Sequence, residues 1–272
     1  MKKLILPVLA IMSLGTATAQ FNLGLSAGYG LGSPGHVLGT TTAPNGDVKN
    51  IYGTLGNGLQ ANLTPGYMFG EHFGVELGLN GFFGSETTVN KTDGAAGTDR
   101  TTQKSTQFRI APSFYIRSAG EKFSVYARTG LLIPLLGSVK TEQNDNSIPG
   151  VSIVQISSTS GKVALGYTGA FGFNIHFGTK FGFFAEVGAN SLRVKSKATE
   201  AKTSTVNGND QLASAPTYFK EIDYVDELTS SSNNFSHNAA SNLSSAREEL
   251  RQVANFSNFF VQIGIKFTFT GD

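Results

Sequence analysis

The sequence contains no cysteine, which excludes both a disulfide framework and a lipid-modified cysteine anchor. It contains no tryptophan, so any aromatic belt must be built from its 21 phenylalanines and 8 tyrosines. Charge is scarce as well: Asp, Glu, Lys and Arg make up 15% of the 272 residues, below the ordinary quarter. The formal net charge of +2 gives no general electrostatic attraction to nucleic acid or to an anionic membrane surface. Long apolar runs are missing too, since nothing after the opening approaches the roughly 18 apolar residues that a membrane helix needs. Glycine is what abounds, 33 residues or about 12% against a usual 7%.

The opening "MKKLILPVLAIMSLGTATAQ" sets Lys2 and Lys3 before an apolar run from Leu4 to about Gly15, followed by Ala17-Thr18-Ala19. That three-part layout predicts a secretory signal peptide over residues 1–19, cleaved after Ala19. Its loss would remove two lysines and leave a formally neutral mature chain, read here as one domain over residues 20–272.

From residue 21 the pattern has period two. "FNLGLSAGYGL" puts Phe21, Leu23, Leu25, Ala27, Tyr29 and Leu31 on one parity, with Asn22, Gly24, Ser26, Gly28 and Gly30 on the other. Such alternation marks a strand. It recurs at 59–69, 73–83, about 107–116, about 123–135, 163–177, 181–192 and in the tail "NFFVQIGIKFTFTGD". Eight strands result, an even count. Three connections are short: "GEH", "RSAGEK" and "GTK". They alternate with four long polar ones at about 32–57, 85–105, 138–160 and 194–256.

This asymmetry is that of an outer-membrane barrel, with short periplasmic turns and long extracellular loops. Phe21, Phe69, Phe73, Phe123, Phe177, Phe181, Phe267 and Phe269 all fall at the short-turn end, where a girdle of rings is expected. A soluble barrel would also alternate, but its polar face would be rich in Lys and Glu. Here that face is mostly Gly, Asn, Ser, Thr and Gln, which suits a narrow lumen. The expected fold is therefore all-β: an eight-stranded antiparallel up-and-down transmembrane barrel. Its last strand must pair with its first, because an open edge in hydrocarbon leaves backbone groups unbonded.

In the tail, "QIGIKFTF" has the order polar, any, Gly, any, any, apolar, any, apolar. It resembles the terminal-strand sorting signal of outer-membrane barrels, with Gln262, Gly264, Phe267 and Phe269 at the defined positions. The further Thr270, Gly271 and Asp272 depart from the commoner terminal phenylalanine. On this motif and the architecture of residues 20–269, the chain resembles the small eight-stranded outer-membrane proteins, the opacity-type, OmpX-like and "porin family" kind. The resemblance implies the outer membrane of a Gram-negative bacterium. It also implies contact with outer-membrane lipids and lipopolysaccharide, and passage through the secretion and barrel-assembly machinery.

Chemistry-bearing motifs are few. "GLGSPG" satisfies GxGxxG, but Pro34 and a polar loop follow where a dinucleotide site needs a helix. His36, His72 and His237 fall in connections; His176 lies inward at the periplasmic end, with no serine and acid assigned to it. No catalytic, cofactor or metal site is expected, and no nucleic-acid partner. Glu76, Arg109, Arg128, Glu186 and Lys266 share the inward parity at bilayer depth. Charges confined there should meet in opposite-sign pairs and plug the lumen, although strand shear leaves their pairing open. In the last connection, "YFKEIDYVDEL" spaces Phe219, Ile222, Val225 and Leu228 as in a helix, and Ser245 with Glu248 reads as a capping box. Two short helices are expected there, over the barrel mouth or against an extracellular partner.

The resulting functional expectation is a non-enzymatic integral barrel with a structural or surface-interaction role in the envelope. A narrow porin-like channel, or a conduit for a small apolar ligand, is the alternative.

Overall fold

The computed structural model describes residues 20–94 and 97–269; the signal-peptide reading and the three residues after Phe269 lie outside them. Eight strands form the wall: β1 (Gln20–Gly32), β2 (Gly58–Phe69), β3 (Phe73–Gly84), β4 (Gly97–Arg117), β5 (Phe123–Asp145), β6 (Gly166–Phe177), β7 (Phe181–Ser191) and β8 (Asn258–Phe269). Each pairs antiparallel with the next. The ring closes where β8 lies along β1, from Phe21↔Phe269 to Gly32↔Asn258. The paired tail thus satisfies backbone groups that would otherwise face lipid.

Period two sorts the side chains into two environments. Leu25, Leu63, Leu77, Leu131, Val187 and Ile263 point outward and are each at least 40% exposed. So continuous an apolar surface would be a liability in water, but it is satisfied in a bilayer. Asn22, Gln60, Asn80, Ser113, Thr168, Asn190 and Gln262 are buried inside. At the short-turn end the phenylalanines touch around the rim: Phe21–Phe269 at 5.5 Å, Phe181–Phe267 at 5.3 Å and Phe177–Phe181 at 6.1 Å between ring centroids.

Lumen glycines make room for the lumen aromatics. A Cβ at Gly264 would stand 2.6 Å from the Phe184 ring, and one at Gly172 would stand 2.6 Å from the Tyr126 ring.

The strands β4 and β5 run for 21 and 23 residues, beyond the spans read from the sequence. Past the barrel they continue as a sheet. On one side Thr87–Gly94 pairs with β4, and Val37–Thr42 pairs with Thr87–Gly94 and with Val48–Tyr52. On the other, Ile153–Gly161 pairs with β5 and Arg193–Val206 with Ile153–Gly161. Glu221–Val225 then pairs with Arg193–Val206, and Arg247–Leu250 lies parallel to Glu221–Val225.

The two helices expected in the last connection are corrected here. Only one turn, α1 (Thr217–Lys220), is helical, and Glu221–Val225 is a strand. Glu248 does not cap a helix; its carboxylate accepts the Asn233 N–H at 3.0 Å.

Candidate functional site

The lumen is filled by side chains. Lys266 of β8 donates to Glu76 of β3 at 3.0 Å. Its ammonium lies 4.4 Å from the centroid of the Tyr115 ring, with the Tyr126 and Phe184 rings at 5.7 and 5.9 Å. Tyr115 and Tyr126 stack at 5.0 Å. The cation therefore sits among π faces and one carboxylate, which replace the water it gave up.

A second pair stands beside the first. Glu186 of β7 accepts from Arg128 of β5, Nε to Oε2 at 3.1 Å, and from the Tyr126 hydroxyl at 2.7 Å. Gln262 of β8 donates to the same carboxylate. The network continues when Asn62 donates to Gln262 at 2.8 Å and Asn80 donates to Asn62 at 2.6 Å. Strands β2, β3, β5, β7 and β8 are thus tied through the interior. A pocket of about 20 Å³, enough for about one water, lies beside Asn62, Asn80, Arg128 and Gln262.

Four of the five inward charges are brought together as two pairs. Arg109 is not. It is fully buried, its Nε donates to Gln107 at 2.7 Å, and its guanidinium lies 4.1 Å from the Phe82 ring centroid. No carboxylate bonds it among the described residues, and both terminal nitrogens lack a partner. The expectation of opposite-sign pairing therefore fails at Arg109, where a flat ring and an amide take the place of an acid.

Above the charges lies an apolar layer of Leu55, Ala111, Leu132, Leu192, Val194 and Phe256. Outside that layer is a cavity of about 260 Å³, lined by Leu55, Val194 and Phe256 among others. It sits where the wall is interrupted. The β5–β6 ladder ends at Gly166↔Leu132, and the pairing of β5 with Ile153–Gly161 begins only at Ser138↔Ser160. A register shift at Phe108/Arg109 leaves Leu135 unpaired between Pro134 and Leu136.

Two further details bear on chemistry. Ser124 Oγ is 3.2 Å from His176 Nε2, a serine partner that the sequence reading did not assign. Ser124 is buried and also accepts from Asn174 at 3.2 Å, and no carboxylate bonds His176 among the described residues. The pair has the connectivity of a structural tie at the periplasmic end. In the outer sheet Arg251 donates to Asp226 at 2.8 Å and to the Ser196 carbonyl at 2.8 Å. That hydrogen bond holds the Asp226 carboxyl below its usual range.

Sequence reasoning missed Tyr115 and Tyr126 as partners of the charges. Tyr126 shares the inward parity of Arg128, but nothing in the sequence sets it or Tyr115 next to Glu186 and Lys266. Of the tail residues, Gln262 and Gly264 serve the lumen, whereas Phe267 and Phe269 face outward.

A model of the outer membrane protein β-barrel domain matches residues 4–212. The chain belongs to that family. Membership, with the closed ladder, places the protein in the outer membrane of a Gram-negative bacterium. Among solved structures, the chain is similar to the outer membrane protein OprG from Pseudomonas aeruginosa, at 13% identity and a TM-score of 0.47, covering 94% of this chain and 99% of that one. It is also similar to CarO2 of Acinetobacter baumannii, at 14% identity and a TM-score of 0.35, covering 91% of this chain and 99% of that one. A comparison with curated proteins gave no match.

Proposed function

We propose that this barrel is a non-enzymatic envelope protein whose lumen is closed to solutes and whose outer sheet serves a structural or surface-interaction role. The observation that carries this reading is the double ion pair, Lys266–Glu76 and Arg128–Glu186, set across the lumen. A hydrated solute needs a continuous polar path, and the apolar layer of Leu132, Leu192 and Phe256 interrupts it again farther out.

The contacts proposed with this role are outer-membrane lipids and lipopolysaccharide along the apolar belt, and the barrel-assembly machinery at Gln262, Gly264, Phe267 and Phe269. An extracellular partner would meet the sheet built from residues 194–256. The conduit alternative draws support from the outer cavity alone, and none of Glu76, Arg128, Glu186 and Lys266 lines that cavity.

Liposomes carrying the refolded protein provide the test. Swelling in small sugars should not exceed that of empty liposomes; rapid swelling would mean an open lumen and would overturn the closed-barrel reading.

A further inference from the structure

Two lysines face one another at the gap in the wall. The Lys162 N–H donates to the Lys195 carbonyl at 2.8 Å, so the two residues are neighbours across adjacent segments. Like charges placed opposite one another destabilise a sheet unless something neutralises them. Both lysines line the 260 Å³ cavity, as does His36, and no Asp or Glu lines it among the described residues. The nearby acid is Asp226, whose carboxylate lies within electrostatic reach of both lysines and accepts from Arg251 at 2.8 Å. Lys162, Lys195 and Arg251 thus share one carboxylate, and the cavity margin keeps an excess of positive charge.

Part of the lining is apolar. Leu55 and Phe256 are buried there, and Val194 packs beside them. A Cβ at Gly161 would come within 2.4 Å of the Val194 side chain, so the glycine before Lys162 is what lets Val194 occupy that place. Beside the opening, Leu135, Leu136, Val163 and Leu165 are exposed toward the apolar surroundings. One cavity therefore joins a buried apolar pocket to a margin with excess positive charge.

We propose that this cavity is a binding site for a small amphiphilic anion, with its apolar body against Leu55, Val194 and Phe256 and its acidic group between Lys162 and Lys195. The volume lies just below the roughly 300–1,000 Å³ that hold drug-sized ligands, so the molecule is smaller than those, such as a short-chain carboxylate. The same chemistry is available from a soluble amphiphile or from the anionic end of a membrane lipid. The site does not depend on the lumen being closed, because none of Glu76, Arg128, Glu186 and Lys266 lines it.

The test uses the refolded full-length mature barrel in phosphatidylcholine nanodiscs, titrated with octanoate by calorimetry and corrected for empty nanodiscs. Saturable binding near one molecule per barrel is expected. A Lys162→Gln/Lys195→Gln variant should bind octanoate about tenfold more weakly, the loss of one charge-assisted contact. Octylammonium should bind poorly to the wild type. A Val194→Trp variant, filling the pocket, should lose octanoate binding while keeping the heat-modifiable folded band. Nanodiscs containing phosphatidylglycerol separate the sources: undiminished octanoate binding assigns the site to a soluble amphiphile, and competition assigns it to lipid. No saturable octanoate binding in phosphatidylcholine, or binding unchanged in the double-lysine variant, overturns the proposal.

Discussion

Lys266 of β8 and Glu76 of β3 meet inside the barrel at 3.0 Å although 190 residues separate them in the chain. Along the wall they are three ladder steps apart, through β1 and β2. The last strand therefore holds the ring closed by its backbone and spans the lumen by its side chain. Removing one member of such a buried pair leaves the other charge uncompensated, at a cost of about 3–5 kcal/mol. Glu76→Ala should lower the unfolding free energy measured in urea by that order. Glu76→Ala/Lys266→Met should lose clearly less than the sum of the two single changes, whereas additive losses would show that the two residues are not coupled.

Arg109 and Arg128 should respond differently to the same substitution. Arg128→Met strips the cation from Glu186 and should destabilise by about 3–5 kcal/mol. Arg109→Met removes a buried charge that has no carboxylate partner and retains apolar contact with Phe82. Its effect should fall within about 1 kcal/mol or be stabilising. Equal losses for both variants in urea titration would mean that Arg109 has an anionic partner in solution.

Gly264 should tolerate no side chain. Its Cβ would press on the Phe184 ring and on the Leu25 carbonyl, 2.4 Å away. Gly264→Ala should reduce the folded fraction on a heat-modifiability gel, and adding Phe184→Leu should restore part of it. Full folding of the single variant would contradict the packing described.

The clasp between Asp226 and Arg251 should be acid-sensitive. The folded structure holds the Asp226 carboxyl below its ordinary range through the Arg251 hydrogen bond. Stabilisation from a depressed carboxylate is present above its unfolded pKa and is lost as pH falls through the folded one. Amide exchange around Ser196 and Gln252, which bond each other at 2.9 Å, should thus be slow at neutral pH. Opening there should increase only below the ordinary Asp range of about 3.9, after correction for intrinsic exchange. In Asp226→Asn the pH-dependent opening should vanish.

The barrel was legible because period two is a local signal, repeated eight times and reinforced by short turns such as "GTK". Parity also placed Glu76, Arg128, Glu186 and Lys266 inside. It could not pair them, because partners such as Lys266 and Glu76 are set by the stagger of strands distant in sequence. Arg109 escaped the charge-pairing argument because its neighbours are Gln107 and Phe82, which no charge count reveals. The outer connections misled for a different reason. Ile222 and Val225 fit a helical spacing, yet β-branched residues also favour strands. Here the open ladder of Arg193–Val206 was available to pair with them.

The central claim is that the interior network closes the lumen. Single-channel recording of the refolded mature barrel in a planar bilayer tests it most directly, once a gel has confirmed folding. A silent bilayer for the wild type is the result this structure predicts. Discrete openings of the wild type, altered in Arg128→Ala, would contradict it and make the interior charges the gate of a channel.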